Sequence, residues 1–246
     1  MPKLLGFFPE MSHWSVVVSS IVGHKIATST SSVTTRQDKF FGLDDYMQLE
    51  GLALRITPVP HPSDPGFGII GSGKVATDIF LNNVKNKFRW GNFDKQKTFI
   101  DKSYLPSAQS MQLTMRRAAG VMLEEGKTKQ AVELADIYFK AFPNKNFSFD
   151  YRAYYMVDIY LEAGNYAAAK PHLKTIADET EKQMRYFTSM DPTDLQNSFQ
   201  FEFDMAKRNM NKLMQDAETN KDLAFFATLQ KKFAPYRVEV LDGTNN

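Results

Sequence analysis

Cysteine is absent from the 246 residues of this chain. That absence excludes thiol catalysis, disulfide frameworks and every metal site with cysteine ligands. Histidine is scarce as well, and none of the four histidines has a second one three or four residues away, which is the spacing that a helical zinc site requires. The sequence therefore predicts neither a metal nor another cofactor.

An excess of charge of one sign and long apolar runs are also lacking. Thirty basic residues are mixed with 28 acidic ones, so the net charge of +2 does not indicate a nucleic acid as partner. No segment approaches the ~20 consecutive apolar residues that span a bilayer. With 43% apolar residues, the chain as it stands is expected to be soluble and to bury one or two cores.

The chain divides into four regions that differ in texture: residues 1–39, 40–105, 106–236 and 237–246. The first region is rich in Ser, Thr and Val, and its segments 16–22 and 25–35 are predicted to be strands or extended chain. The third region has few prolines, and its apolar residues recur at three- and four-residue spacing, which predicts helices. The fourth region is a short tail.

The second region, residues 40–105, has a mixed pattern. Segment 43–55 is predicted to begin as a helix, and segment 52–58 to be a strand that ends at Pro58. Four prolines from Pro58 to Pro65 then predict a loop, because proline fixes its own backbone angle and donates no backbone hydrogen bond.

Residues 66–75, with the sequence G-F-G-I-I-G-S-G-K-V, match two nucleotide-binding spellings, G-x-G-x-x-G and G-x-x-x-x-G-K. Both spellings need a buried strand directly before the glycines, but the eight residues before Gly68 include three prolines and cannot form a central strand. Val75 also stands where a phosphate-binding loop has the Ser or Thr that binds magnesium. We therefore expect a turning loop and no bound nucleotide.

The helical region contains an internal repeat. Residues 118–131 and 157–169 share the pattern L-E-x-G followed by an alanine five residues later, and Gly126 and Gly164 are 38 residues apart. Glycine adopts the left-handed conformation of a helix C-cap, so a helix that ends there allows a second helix to pack back on it. The alanine is then expected where the two helix axes approach closely.

This spacing resembles the tetratricopeptide repeat, a helix-turn-helix unit of about 34 residues. Two units are predicted at residues 112–143 and 150–184, with Pro143 ending the first and Asp150 capping the second, and a degenerate third at 194–233. Their packing positions are Met115, Ala118, Ala119, Met122, Ala131, Ala135, Tyr138, Ala153, Met156, Val157, Tyr160, Ala169, Leu173 and Ile176. The expected fold is mainly α, a tetratricopeptide-like array of antiparallel helix pairs in a right-handed superhelix, preceded by a small mixed α/β or irregular region.

A set of ordered blocks carries a second resemblance. The blocks are L-D-D-Y-M-Q-L-E-G-L-A-L-R-I-T-P (43–58), V-A-T-D-I-F-L-N-N-V-K-N-K-F-R-W-G (75–91), the two glycine repeats and R-Y-F-T-S-M-D-P (185–192). In this order they resemble the C-terminal soluble part of a family of bacterial multi-spanning membrane proteins of unknown function, whose N-terminal half is similar to lipid-dependent protein O-mannosyltransferases. The resemblance implies a glycosyltransferase-like setting on the periplasmic or cell-envelope side. The membrane half has no counterpart here, so neither a catalytic residue nor a direct membrane contact is expected.

The expected function is that of a non-catalytic scaffold or protein-interaction module. Side chains on the first helix of each repeat, away from the packing positions, are expected to line a concave face that binds a protein or peptide segment. The candidates for this face are Gln112, Arg116, Tyr151, Tyr154 and Asp158. In the setting of the resembled family, the module would hold an acceptor protein or partner subunit near the membrane enzyme.

A second hypothesis places an enzyme or carbohydrate-binding site in residues 40–105. An enzyme there would use Lys87, Arg89 and nearby acidic residues. Trp90 and Arg89 could also stack on a sugar, because aromatic rings and cations together bind such ligands. The alternative for this segment is structural, with Trp90 and Phe93 packing the mixed region against the first helices.

Overall fold

The computed structural model of the protein describes residues 43–236. The strands predicted in segments 16–22 and 25–35 and the tail at 237–246 lie outside the described residues. The fold is mainly helical, as predicted, with a small three-stranded sheet near its N-terminal end. The strands are β1 (Met47–Leu49), β2 (Leu54–Ile56) and β3 (Lys74–Val75), and the helices are α1 (Thr77–Asn86), α2 (Leu105–Glu124), α3 (Thr128–Ala141), α4 (Tyr151–Glu162), α5 (Tyr166–Thr188), α6 (Gln200–Thr219) and α7 (Leu223–Phe233).

The chain forms two compact units, of which the first ends at Phe142 and the second begins at Pro143. The first unit contains the sheet and α1 to α3, so the mixed region and the first helix pair belong together. In this unit α1 packs against both α2 and α3. In the second unit α5 packs against α4 and α6, and α6 packs against α7. None of the helices within residues 43–236 has the length and apolar character needed to cross a bilayer.

The sheet is built around β1, which is antiparallel to β2 and parallel to β3. Leu49 of β1 lies opposite Leu54 of β2 and Val75 of β3, and both Leu49 and Met47 are buried. The predicted strand is confirmed as β2, but the helix predicted before it is wrong, because only Asp44–Tyr46 form a single 3-10 turn. The buried side chains of β1 alternate with period two, as in a strand. Strands β2 and β3 provide the hydrogen-bond partners of its backbone, which in a helix would come from the same segment.

The glycine-rich stretch forms a 3-10 helix, Pro65–Gly71, followed by β3. Residues 57–64 before it form no regular element, so the predicted loop is confirmed and the strand that a nucleotide-binding motif needs is missing there. Gly73 has a φ of +59°, and a Cβ at this position would lie 1.7 Å from the carbonyl oxygen of Met47. Glycine is therefore required here by the close approach of two backbone segments.

Arg117 of α2 fastens the glycine-rich stretch to the first helix pair. The side chain is buried, and its guanidinium donates hydrogen bonds to the backbone carbonyls of Ile70, Ser72 and Gly73. Burial lowers the pKa of Arg117, while the charge of Asp64 acts in the opposite direction. In a phosphate-binding loop the backbone N–H groups face an anion, whereas these carbonyls face a cation. The glycines thus serve a packing contact within the protein.

Three helix pairs, α2/α3, α4/α5 and α6/α7, close with the same turn. The turn residue is left-handed in each pair, with φ of +73° at Gly126, +70° at Gly164 and +56° at Lys221. Its N–H bonds to the carbonyl three residues earlier, and the next N–H bonds to the carbonyl five residues before itself, over 2.7 to 2.9 Å. This is the hydrogen-bond pattern of the Schellman motif. The helix ends predicted at the two glycines are confirmed, and the same turn recurs at Lys221.

The predicted packing side chains of the two repeats are all buried, and none is more than 4% exposed. Two predicted boundaries are also confirmed, since α3 ends just before Pro143 and the carboxylate of Asp150 accepts a hydrogen bond from the N–H of Arg152 over 2.8 Å. Helix α5 instead runs beyond the predicted end at residue 184, because Glu181 stands where the repeat pattern has its closing proline.

The third helix pair begins later than predicted. A helical turn at Pro192–Asp194 and a π-helical turn at Leu195–Phe199 precede α6, which starts at Gln200. The core of the second unit then includes Leu213 of α6 and Leu229 of α7, both fully buried. The two helices predicted at about 194–215 and 221–233 are therefore present as α6 and α7, with the first displaced toward the C-terminus.

Candidate partner-binding surface

The predicted partner-binding residues fall in both units and are described unit by unit. Gln112 and Arg116 lie on α2 in the first unit, and both side chains are half-buried. The guanidinium carbon of Arg116 lies 5.3 Å from the ring centroid of Phe67, which belongs to the 3-10 helix of the glycine-rich stretch. Arg116 therefore covers an aromatic ring of its own unit with part of its side chain.

Tyr154 of α4 does not lie on the surface. Its side chain is 2% exposed, and its hydroxyl donates a hydrogen bond to a carboxylate oxygen of Asp216 on α6 over 2.7 Å. The expectation that Tyr154 lines an exposed face is therefore wrong. Ala153 and Val157 pack in the repeat pattern, and α6 also contacts α4 and covers the side that carries Tyr154.

Asp158, four residues after Tyr154, takes part in the same contact between helices. Lys212 of α6 forms ion pairs with Asp158 over 2.8 Å and with Asp216 over 3.1 Å, and its Nζ lies 4.9 Å from the ring centroid of Tyr154. Burial opposes the charge of Lys212, but hydrogen bonds to the two carboxylates outweigh it and raise the pKa of this lysine. Burial and the charge of Asp216 raise the pKa of Tyr154. This cluster links α4 to α6.

Tyr151 belongs to an exposed aromatic patch, which we define as Tyr151 and Tyr155 of α4 with Phe201 of α6. The ring of Tyr151 meets the other two edge to face, with centroid distances of 5.9 Å to Tyr155 and 6.0 Å to Phe201. Tyr155 is 38% exposed and Phe201 is 59% exposed. The sequence prediction included Tyr151 alone. The spacing of Tyr151 and Tyr155 places them on one helix face, but nothing local indicates that Phe201 joins them.

Trp90 and Arg89, the candidates for sugar stacking, have different surroundings. Trp90 is half-buried, and its ring contacts Phe88 and Phe142 at centroid distances of 5.9 and 5.6 Å, near-perpendicular to the first and at 67° to the second. Phe142 is the C-cap of α3, so Trp90 packs the mixed region against the first helix pair, as the structural alternative predicted. Arg89 is exposed and donates a hydrogen bond to the carbonyl of Phe88, and Lys87 is exposed on the same segment.

Two further observations bear on the class of site. Within residues 43–236, no three His, Asp or Glu side chains come together in a way that could hold a metal ion. Comparison of the chain with protein-family models, curated proteins and solved structures found no significant match. The helix pairs and the surfaces that they expose are the features that bear on function.

Proposed function

We propose that the protein is a non-catalytic interaction module of tetratricopeptide type, and that the aromatic patch forms part of its partner-binding surface. The repeated Schellman turn and the burial of the predicted packing side chains support the helix-pair part of this proposal. Helix pairs of this kind stack on their neighbours to bury their remaining apolar faces. The stacking of successive pairs into one array is part of the proposal.

The exposed rings of the aromatic patch are the observation that carries the proposal. Aromatic residues are enriched where proteins bind one another, because they combine a large apolar area with few rotatable bonds. Here the half-buried ring of Tyr151 contacts the exposed rings of Tyr155 and Phe201, and the link between Tyr154 and Asp216 joins the two helices that carry them. A patch that is ordered in advance loses little entropy on binding. Its partner is a protein or peptide segment with apolar side chains.

The setting of this function is proposed from the ordered sequence blocks. Their resemblance to the soluble part of glycosyltransferase-like membrane proteins supports a role beside such an enzyme. The module would hold an acceptor protein or a partner subunit near the membrane, on the periplasmic or cell-envelope side. The chemistry of glycosyl transfer would belong to the membrane enzyme.

Binding assays on surface variants test this function. Partners captured by the immobilised chain are identified, purified and titrated against the wild type and the double variant Tyr155→Ser/Phe201→Ser. We expect the double variant to lose affinity by roughly tenfold or more, because it removes two exposed rings. Tyr104→Ser is the matched control, since Tyr104 is 68% exposed but lies in the first unit.

Circular dichroism and thermal unfolding establish that each variant is folded before its affinity is interpreted. Equal affinity of the double variant and the wild type for every specific partner would rule out the aromatic patch as the binding surface. A substitution of Tyr154 is unsuitable for this assay, because this side chain is buried and its loss would disturb the link between α4 and α6.

A further inference from the structure

A groove lies between α5 and α7 in the second unit, with a volume of about 380 Å³. Two ion pairs connect the helices on either side of it, Lys170 with Asp222 over 2.5 Å and Lys232 with Asp178 over 2.8 Å. Lys170 precedes Asp178 on α5, and their partners follow in the same order, with Asp222 at the start of α7 and Lys232 near its end. The two helices therefore run in the same direction. The groove therefore has a lysine near each end.

The groove combines an apolar floor with a cationic rim. Ala177 and Phe225 line it with side chains that are 1% and 6% exposed, so they lie at its bottom. Lys174 lies on the rim along α5, between the ion-paired residues Lys170 and Asp178, and is exposed. Across residues 43–236, no carboxylate forms an ion pair with Lys174. One positive charge on the rim is therefore open to a ligand.

We infer that this groove binds a short acidic peptide segment of a partner protein. An apolar side chain of the peptide would contact Phe225 and Ala177, and a neighbouring carboxylate would pair with Lys174. Charge complementarity supports this occupant: Lys170 and Lys232 are paired with aspartates, and the charge of Lys174 leaves the groove with a net positive charge. From Lys170 to Asp178 the helix rises by about 12 Å. That length accommodates about three or four residues of extended peptide.

The recessed floor favours a peptide over other polyanions. Phe225 lies at the bottom of the groove, so a flat base or a lipid layer that rests on the rim does not reach its ring, whereas a side chain that extends down from a peptide does. This inference is independent of the aromatic patch, because it depends on α5 and α7, whereas the patch lies on α4 and α6. Failure of one assignment would therefore leave the other intact.

The test is fluorescence anisotropy with the full chain and a labelled pentapeptide that has a central leucine and two acidic residues on each side. Lys174→Glu reverses the open charge, and Lys129→Glu on α3 is the matched control because Lys129 is also an exposed helical lysine. We expect Lys174→Glu to weaken binding by roughly tenfold or more, and Lys129→Glu and Tyr155→Ser to leave it unchanged. Binding should also weaken as salt concentration rises.

Two further kinds of probe test whether the apolar floor contributes to binding and whether the groove prefers a peptide to other polyanions. A pentapeptide with serine in place of leucine should bind more weakly than the original, because it cannot fill the apolar floor. Equal loss with the two lysine variants would overturn the inference. So would undiminished binding of the serine peptide, or tighter binding of a single-stranded oligonucleotide or an anionic phospholipid vesicle than of the acidic peptide.

Discussion

The hydroxyl oxygen of Tyr154 lies 2.7 Å from a carboxylate oxygen of Asp216, and this hydrogen bond joins α4 to α6 across 62 positions of the chain. Lys212 stands beside both side chains, with its ammonium group over the ring of Tyr154 and in an ion pair with Asp216. A carboxylate that is partly withdrawn from water needs such partners, because an unpaired charge there is costly. The stability of the second unit should therefore depend on this cluster.

Substitution of Tyr154 by phenylalanine tests the energetic contribution of the hydroxyl group. Tyr154→Phe keeps the ring but leaves Asp216 without its hydroxyl donor, so the free energy of unfolding should fall by about 1.5 kcal/mol. Tyr166→Phe is the matched control, because the Tyr166 hydroxyl also donates to a carboxylate, that of Asp222 over 3.0 Å, but from a half-buried ring. Its effect in urea denaturation should be smaller. Equal losses would contradict the importance assigned to burial.

Alkaline pH should destabilise the protein through the same cluster. The pKa values of Tyr154 and Lys212 are raised in the folded state, so the native protein holds these protons more tightly than the unfolded chain does. The stabilisation is complete below the unfolded pKa values, near 10, and is lost as the pH rises above them. For each proton that the native state retains and the unfolded chain releases, the free energy of unfolding falls by up to about 1.4 kcal/mol per pH unit.

Urea denaturation at a series of pH values between about 9 and 11 measures this slope. Tyr154→Phe should make the slope shallower, because the variant has no hydroxyl proton to retain at this position. Tyr104→Phe, which removes an exposed tyrosine hydroxyl outside this cluster, is the control. A slope that Tyr154→Phe does not alter would contradict the raised pKa of this tyrosine.

The left-handed turns predict stability changes of opposite sign. Gly126→Ala should lower the free energy of unfolding by about 1 kcal/mol, because a side chain disfavours a φ of +73°. Within residues 43–236, and apart from the adjoining backbone, no atom lies within 4 Å of the added Cβ, so the effect would come from the backbone conformation. Lys221→Gly should instead be neutral or stabilising by up to about 1 kcal/mol, since it relieves the same conformation at φ +56°. Chemical denaturation measures the free energy of unfolding of both variants. Losses of equal size would contradict the cost assigned to a side chain in the left-handed conformation.

Removal of the Arg117 guanidinium should release the glycine-rich stretch from α2. Arg117→Met retains an unbranched side chain but leaves the carbonyls of Ile70 and Gly73 without their donor, so we expect a loss of about 3 kcal/mol in the free energy of unfolding. Arg116→Met, one position earlier on α2, should cost only about 0.5 kcal/mol. Thermal unfolding and hydrogen exchange of residues 66–75 measure the difference. Unchanged exchange in Arg117→Met would exclude the anchoring role.

The local features of the helical region could be predicted from the sequence. The apolar spacing identified side chains such as Met122 and Ile176 that are fully buried, and L-E-x-G located the two turns at Gly126 and Gly164. These features depend on the helical period and on the conformations that a single residue can adopt, and both are properties of short segments. The same reasoning failed for β1, because a short apolar run fits a helix or a strand until its neighbours are known.

The candidate surfaces depended on contacts between distant segments. Helical spacing placed Tyr154 and Asp158 away from the packing face of their repeat, but only the position of α6 determined that Tyr154 is buried and that Phe201 completes the aromatic patch. The sequence alone determined where α2, α3 and α4 end and which face of each one packs in its pair. Tertiary structure decided which of the remaining faces are exposed, because a second helix can cover any of them without changing the local pattern.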